Sequence, residues 1–308
     1  MEDLLADATA GEPIHGLKWT RKALRNVAKA LRRKGFKVSH ETVRRLLRQL
    51  RYQLRVNRKH LGKRQAGERD QQLRYLARKR RAFLKAGKPV ISVDAKKKER
   101  GGNFRNSGRT WRREAVSVLA TDFPRDADGK AIPYGVYDRI PNLGFLGIGT
   151  SPETAEFAVN VIRAWWQTEG CAAYPEQQEL LIQADSGGAN GYRSWLWKSE
   201  LQRWADETGL TLVVTHYPTS ASKWNWIEHR LFSAITGNWA GEPLVSYETV
   251  LKFIRTTKTE TGLRCRAYLD KTVYAIRKKL SPEQKRSINL FPHHVLPKWN
   301  YTIKPHAK

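Results

Sequence analysis

The spacing of apolar residues changes period at Pro89, and no other feature of the chain limits its fold as strongly. Before Pro89, apolar side chains recur at i, i+3, i+4 and i+7, the spacing of one helix face; after it come strand-length apolar runs broken by turn residues. "VISVD" ends at Asp94, and "TWRREAVSVLATDF" and "AIPYGVYDR" with "GFLGIGT" read as further strands. "ETAEFAVNVIRAWWQTEG" then sets Phe157, Val161, Ala164 and Trp165 on one helical face. "ELLIQAD" is a buried-type strand ending at Asp185, "GYRSWLWKSELQRWADETG" a helix, "LTLVVTHYP" a strand and "SKWNWIEHRLFSAI" a helix. A hairpin run followed by alternating strand and helix predicts a mixed sheet with helices on its faces, an α/β architecture.

Upstream, residues 1–16 carry no periodic pattern and read as a disordered tail. In "WTRKALRNVAKALRRKG", Leu24, Val27, Ala28 and Leu31 make an amphipathic helix ended by Gly35. Ser39 is a plausible N-cap for "HETVRRLLRQL", in which Val43, Leu46, Leu47 and Leu50 repeat the spacing and Arg44, Arg45 and Arg48 fall on the opposite side. Two short helices joined by a tight turn predict an all-α helix-turn-helix region over 17–66, whose arginines face either DNA or solvent. "RVNRKHLGKRQAGER" reads as a basic linker or an arm along phosphates, and a linker helix follows within 67–88.

The 308 residues, 40% of them hydrophobic, suffice for a large domain with a smaller one beside it. Cys171 and Cys265 stand far apart without CxxC spacing, which excludes a disulfide framework or a thiolate zinc site and fits a reducing compartment. No apolar run reaches membrane-spanning length, so a cytoplasmic protein with no membrane partner is expected. The net charge of +28 is segregated: residues 1–90 carry +19, residues 91–250 carry −2 and residues 251–308 carry +11. A near-neutral centre between basic arms points to double-stranded DNA as partner.

Asp94 and Asp185 close the first and fourth strands, and strand ends are where α/β sheets place ligands. Glu228 follows 43 residues after Asp185, on the helix that begins once the fifth strand returns, and so reaches the same rim. Three converging carboxylates repel one another unless cations lie among them, and oxygen donors without thiolate or histidine pairs favour Mg²⁺ or Mn²⁺. Two such ions would support in-line displacement at a phosphodiester. Each residue also has an ordinary use: Asp185 in the turn before Ser186-Gly187-Gly188, Asp94 paired with Lys96 or Lys97, Glu228 paired with Arg230 or Lys223.

"SVDAKKKE", "GKAIPYGVYD", "ADSGGANGYR" and "HYPTSASKWNWIEHRLFS", in this order, resemble bacterial insertion-sequence transposases, specifically the group of the Rhodopirellula transposase DDE domain. The similarity runs from about Lys18 to "WNYTI". It implies an RNase H-like core, a mixed five-stranded sheet with flanking helices over 89–245, followed by a basic C-terminal extension over 246–308. It also implies that Asp94, Asp185 and Glu228 are the catalytic, metal-binding triad of a DNA transposase acting on element ends and target, as a homodimer or higher assembly on DNA. Asn225, three residues before Glu228, shares its helix face and supports the site by orienting a water or the glutamate, or else caps a helix or bonds in the core. Lys96, Lys97 and Lys98 are expected at phosphates or in solvent, and "GGANGYR" either cradles a phosphate or makes a tight turn. His216 and His229 flank the site and are taken as structural. Two departures stand out: Ile235 occupies the place seven residues beyond Glu228 where some relatives have a basic residue, and family members commonly have more sequence before the first helix. Two other readings share these features, a structure-specific metal-dependent nuclease and a non-catalytic DNA-binding relative.

Overall fold

The computed structural model describes residues 9–11, 18–20, 23–50, 52 and 66–307. Contacts divide the chain into two compact units, residues 1–63 and 64–308. Of the tail expected over 1–16, only Thr9–Gly11 is described; it forms a strand, β1, paired antiparallel with β2 (Lys18–Thr20). Most of the basic segment after Leu54 lies outside the described residues.

In the first unit, helices Leu24–Arg33 and His40–Gln49 form as their periodicity predicts. Val27, Ala28, Leu31 and Val43 are buried together, with Leu24, Val38 and Leu47 packed against them. The Ser39 hydroxyl accepts the Thr42 N–H at 3.0 Å, satisfying one of the free amides of the second helix. Arg44, Arg45 and Arg48 are exposed, and Arg44 reaches Glu41 at 2.9 Å.

The second unit opens with helix Ala66–Lys85 and then builds one mixed sheet. Its strands are β3 (Val90–Ala95), β4 (Glu99–Gly101), β5 (Gly129–Asp138), β6 (Leu143–Gly149), β7 (Glu179–Ala184), β8 (Thr211–His216), β9 (Arg264–Asp270), β10 (Leu290–Pro292) and β11 (Asn300–Ile303). The order is β10-β11-β8-β7-β3-β5-β6-β9, with β4 paired to β5. β3, β7 and β8 run parallel, while β5 lies antiparallel between β3 and β6. These five central strands have the RNase H-like arrangement expected. The sheet is larger than five strands, because the basic C-terminal segment adds β9 on one side and β11 with β10 on the other.

The strands are buried on both faces, each with period two. Leu180, Ile182 and Ala184 of β7 pack toward helices Ala155–Trp165 and Trp195–Thr208, whereas Leu181 packs against Phe83 of the first helix of the unit. The other face of β5, β6 and β9 receives Ile227, Leu231 and Phe232 and helix Tyr247–Thr256. Burying each such side chain contributes about 1.5–3 kcal/mol. One expected strand is absent: "TWRREAVSVLATDF" has no ladder partner, and its Trp111, Val116, Leu119 and Phe123 are exposed.

Candidate active site

The parallel pairing of β3 with β7 sets Val93 opposite Ala184, so Asp94 and Asp185 come next on neighbouring strands; β7 ends there, whereas Asp94 stays paired with Gly135 of β5. Val93 points into the core beneath helix Ala155–Trp165; Ser92 and Asp94, one step out of phase, point to the other face, toward Asn225. The Asp94 carboxylate accepts the Ala95 N–H through Oδ1 at 2.8 Å and the Asn225 Nδ2–H through Oδ2 at 3.1 Å. Ser92 donates its hydroxyl to Asn225 Oδ1, so both ends of this fully buried amide are engaged by one strand. Asn225 therefore bonds in the core, to Ser92 and Asp94, one of the uses its position offered. Glu228 is half-buried and begins a single π turn, Glu228–Phe232, that leads into helix Ser233–Asn238.

All three carboxyls are pushed above their ordinary range, in each case chiefly by burial. The negative charges of Asp185 and Glu228 raise Asp94 further. At Glu228, His229 and Lys96 act in the opposite direction, and Asp185 adds to the rise. Asp94, Asp185, Glu153, Asn190 and the run Lys96, Lys97 and Lys98 line a cleft of about 290 Å³. The donors fit a hard divalent cation in kind, since they are oxygen only and carry an excess of negative charge that a cation relieves. Among the described residues no three His, Cys, Asp or Glu side chains converge closely enough to enclose an ion.

The lysine run divides. Lys96 is buried, with Nζ 2.9 Å from Glu99 and 4.4 Å from the centre of the Trp239 ring. Lys97 and Lys98 are exposed at the cleft, and Lys98 leans 3.4 Å from Glu153. In "GGANGYR" the backbone amides are used within the fold: Ala189 N–H donates to Glu153 and Gly191 N–H to Gly188 O, both at 3.3 Å. Gly188 takes φ +64°, so its glycine serves a tight turn. His216 is fully buried, and burial lowers it to about 4, the neutral form. The reading of single residues missed Ser92, Glu153 and Asn190. Ser92 alone carried a signal, two residues before Asp94 on the same strand face; the others are brought in by the chain's path.

The family model described as Rhodopirellula transposase DDE domain matches residues 1–305. No curated protein sequence matches the chain. Solved structures with a similar fold include the Mos1 transposase paired-end complex with left transposon end, at 16% identity and TM-score 0.45, and the Mos1 mariner paired end complex with Mn, at 18% and 0.45. In each, 75% of this chain is covered, and this chain spans 65% of the other's length.

Proposed function

Because the chain belongs to the family of the Rhodopirellula transposase DDE domain, we propose that it is a DNA transposase that cleaves and joins phosphodiesters at the Asp94–Asp185–Glu228 rim. The observation that carries this reading is the position of Asp94 and Asp185, each one step beyond the paired Val93 and Ala184 of neighbouring parallel strands, with Asn225 tying Asp94 to the segment that leads into Glu228. Asp94, Asp185 and Glu228 would hold Mg²⁺ or Mn²⁺. When bound, two such ions supply activation of a water or 3′-hydroxyl on one side of the scissile phosphate and stabilisation of the leaving oxygen on the other.

The chain's own residues do the rest. Asn225 and the Ala95 amide fix the Asp94 carboxylate in one rotamer, and Lys96, paired with Glu99, sets a buried positive charge that favours ionised Glu228. Lys97 and Lys98 offer ammonium groups to the phosphates of a strand in the cleft. Arg44, Arg45 and Arg48, on a helix of the smaller unit, offer the charge for gripping element ends. Two ends handled in one reaction call for a homodimer or larger assembly on DNA.

Nicking of supercoiled plasmid in Mg²⁺ or Mn²⁺ tests the reading. The wild type should nick; Asp185→Asn, Glu228→Gln and EDTA should each abolish nicking while leaving DNA binding intact. Cleaved DNA that never joins a target would replace transposase by structure-specific nuclease. Equal behaviour of the folded wild type and variants would leave a DNA-binding protein.

A further inference from the structure

Asp185 stands one residue beyond the end of β7, where the hydrogen-bond ladder no longer constrains the chain. Its carbonyl is nevertheless held by two buried side chains. His216 Nδ1 lies 3.0 Å from Asp185 O, and Asn190 Nδ2 donates to the same oxygen at 3.3 Å. A carbonyl oxygen can only accept, so Nδ1 carries a proton.

The other ring nitrogen is fixed by a longer chain of bonds. His216 Nε2 lies 3.0 Å from the Tyr301 hydroxyl, which itself accepts Trp197 Nε1–H at 3.1 Å. The indole can only donate, and among the described residues the Tyr301 hydroxyl proton has no acceptor besides Nε2. Nε2 is therefore the unprotonated nitrogen. Protons run in one direction, from Trp197 to Tyr301 to His216 to the Asp185 carbonyl. Trp197 comes from helix Trp195–Thr208 and Tyr301 from β11, and all three side chains are buried.

We propose that His216, locked as the Nδ1–H tautomer by Tyr301 and Trp197, is a positioning residue that orients the Asp185 peptide and through it the Asp185 carboxylate. The inference rests on the proposed role of Asp185 in holding a divalent ion. Partners that orient metal ligands through a hydrogen bond typically change metal affinity 10–100-fold when removed.

The test uses the full chain. In ¹⁵N-histidine-labelled protein, with His216→Asn assigning the signal, the His216 ring should show Nδ1 protonated and Nε2 bare. A ring protonated at Nε2 would overturn the relay. Mn²⁺ titration then reads its consequence: Tyr301→Phe, which keeps the ring and deletes the hydroxyl, should bind Mn²⁺ about tenfold more weakly. His216→Ala removes the Nδ1–H donor itself and should weaken Mn²⁺ binding at least as much. In that background Tyr301→Phe should have no further effect, because the donor it fixes is already gone. Equal Mn²⁺ affinity of the folded Tyr301→Phe variant and wild type would reduce the relay to packing. A wild type that binds no Mn²⁺ would instead sink the metal-site reading itself, and the positioning role with it.

Discussion

Asn225 is bonded to the one strand it faces, with Ser92 at its oxygen and Asp94 at its nitrogen. Asn225→Ala would leave a buried hydroxyl and one carboxylate oxygen without a partner, and Asp94 free to rotate. We expect plasmid nicking to fall about 10–100-fold with DNA affinity unchanged, since Asn225 is fully buried; full activity would refute the role. A second buried carboxyl, Asp138 at the far end of β5, governs stability. Burial raises it to about 7, although Tyr174 O–H and the Ile140 amide donate to it. In the unfolded chain it ionises near 4, so between pH 4 and 7 the folded state holds a proton that the unfolded state has lost. The stability is present in full below pH 4 and is lost as pH rises to about 7, on the order of 4 kcal/mol at most. Asp138→Asn keeps the acceptor and removes the charge, so urea midpoints of wild type and variant should diverge toward pH 8 in the variant's favour. A constant gap from pH 5 to 8 would refute this.

The segment that carries Glu228 packs against the sheet at two glycines, Gly135 and Gly144. A Cβ at Gly135 would meet Phe232 at 2.8 Å and Ile227 at 3.0 Å, and one at Gly144 would overlap Leu231. Gly147 lies on the opposite face, where a Cβ would meet Val161 and Tyr268. Gly144→Ala and Gly147→Ala should each cost about 1–3 kcal/mol, lowering the melting midpoint by roughly 2–4 °C per kcal/mol. Only Gly144→Ala should also reduce nicking at a temperature where both are folded, because it displaces the Glu228 segment. Such contacts were not legible in the sequence, where a glycine in a strand run reads only as a weak spot. What was legible had a local cause: helix spacing and the Ser39 cap in the small unit, unbroken apolar runs for β3, β7 and β8, and a carboxylate closing two of them. The expected strand at "TWRREAVSVLATDF" was read from its apolar residues, yet no neighbouring strand offers it a ladder. In β9 the alternation was hidden by charge, since Arg264 and Arg266 face out while Cys265 and Ala267 face the core.

Across the whole molecule charge is segregated, and under the proposed function this separates gripping DNA from acting on it. Residues 91–250, which hold the three carboxylates, carry −2, whereas residues 1–90 carry +19. Under the proposed function the three carboxylates repel a polyanion, so Lys97 and Lys98 at the cleft and the basic arms of the chain have to supply the attraction for DNA. The proposal assigns part of that attraction to the exposed arginines of helix His40–Gln49. Duplex binding should weaken steeply between 50 and 200 mM salt, with a logarithmic slope reflecting about 6–10 phosphate contacts. Replacing Arg44, Arg45 and Arg48 together by alanine should lower that slope by up to about 3, at about 0.9 per phosphate lost. The same variant should keep its Mn²⁺ affinity, because none of the three arginines belongs to the carboxylate cleft. Fluorescence anisotropy on a labelled duplex across a salt series reads the first effect, and Mn²⁺ titration the second. If the slope is unchanged, the helix faces solvent and not DNA; if Mn²⁺ affinity falls with it, grip and chemistry are coupled and the division by charge is wrong.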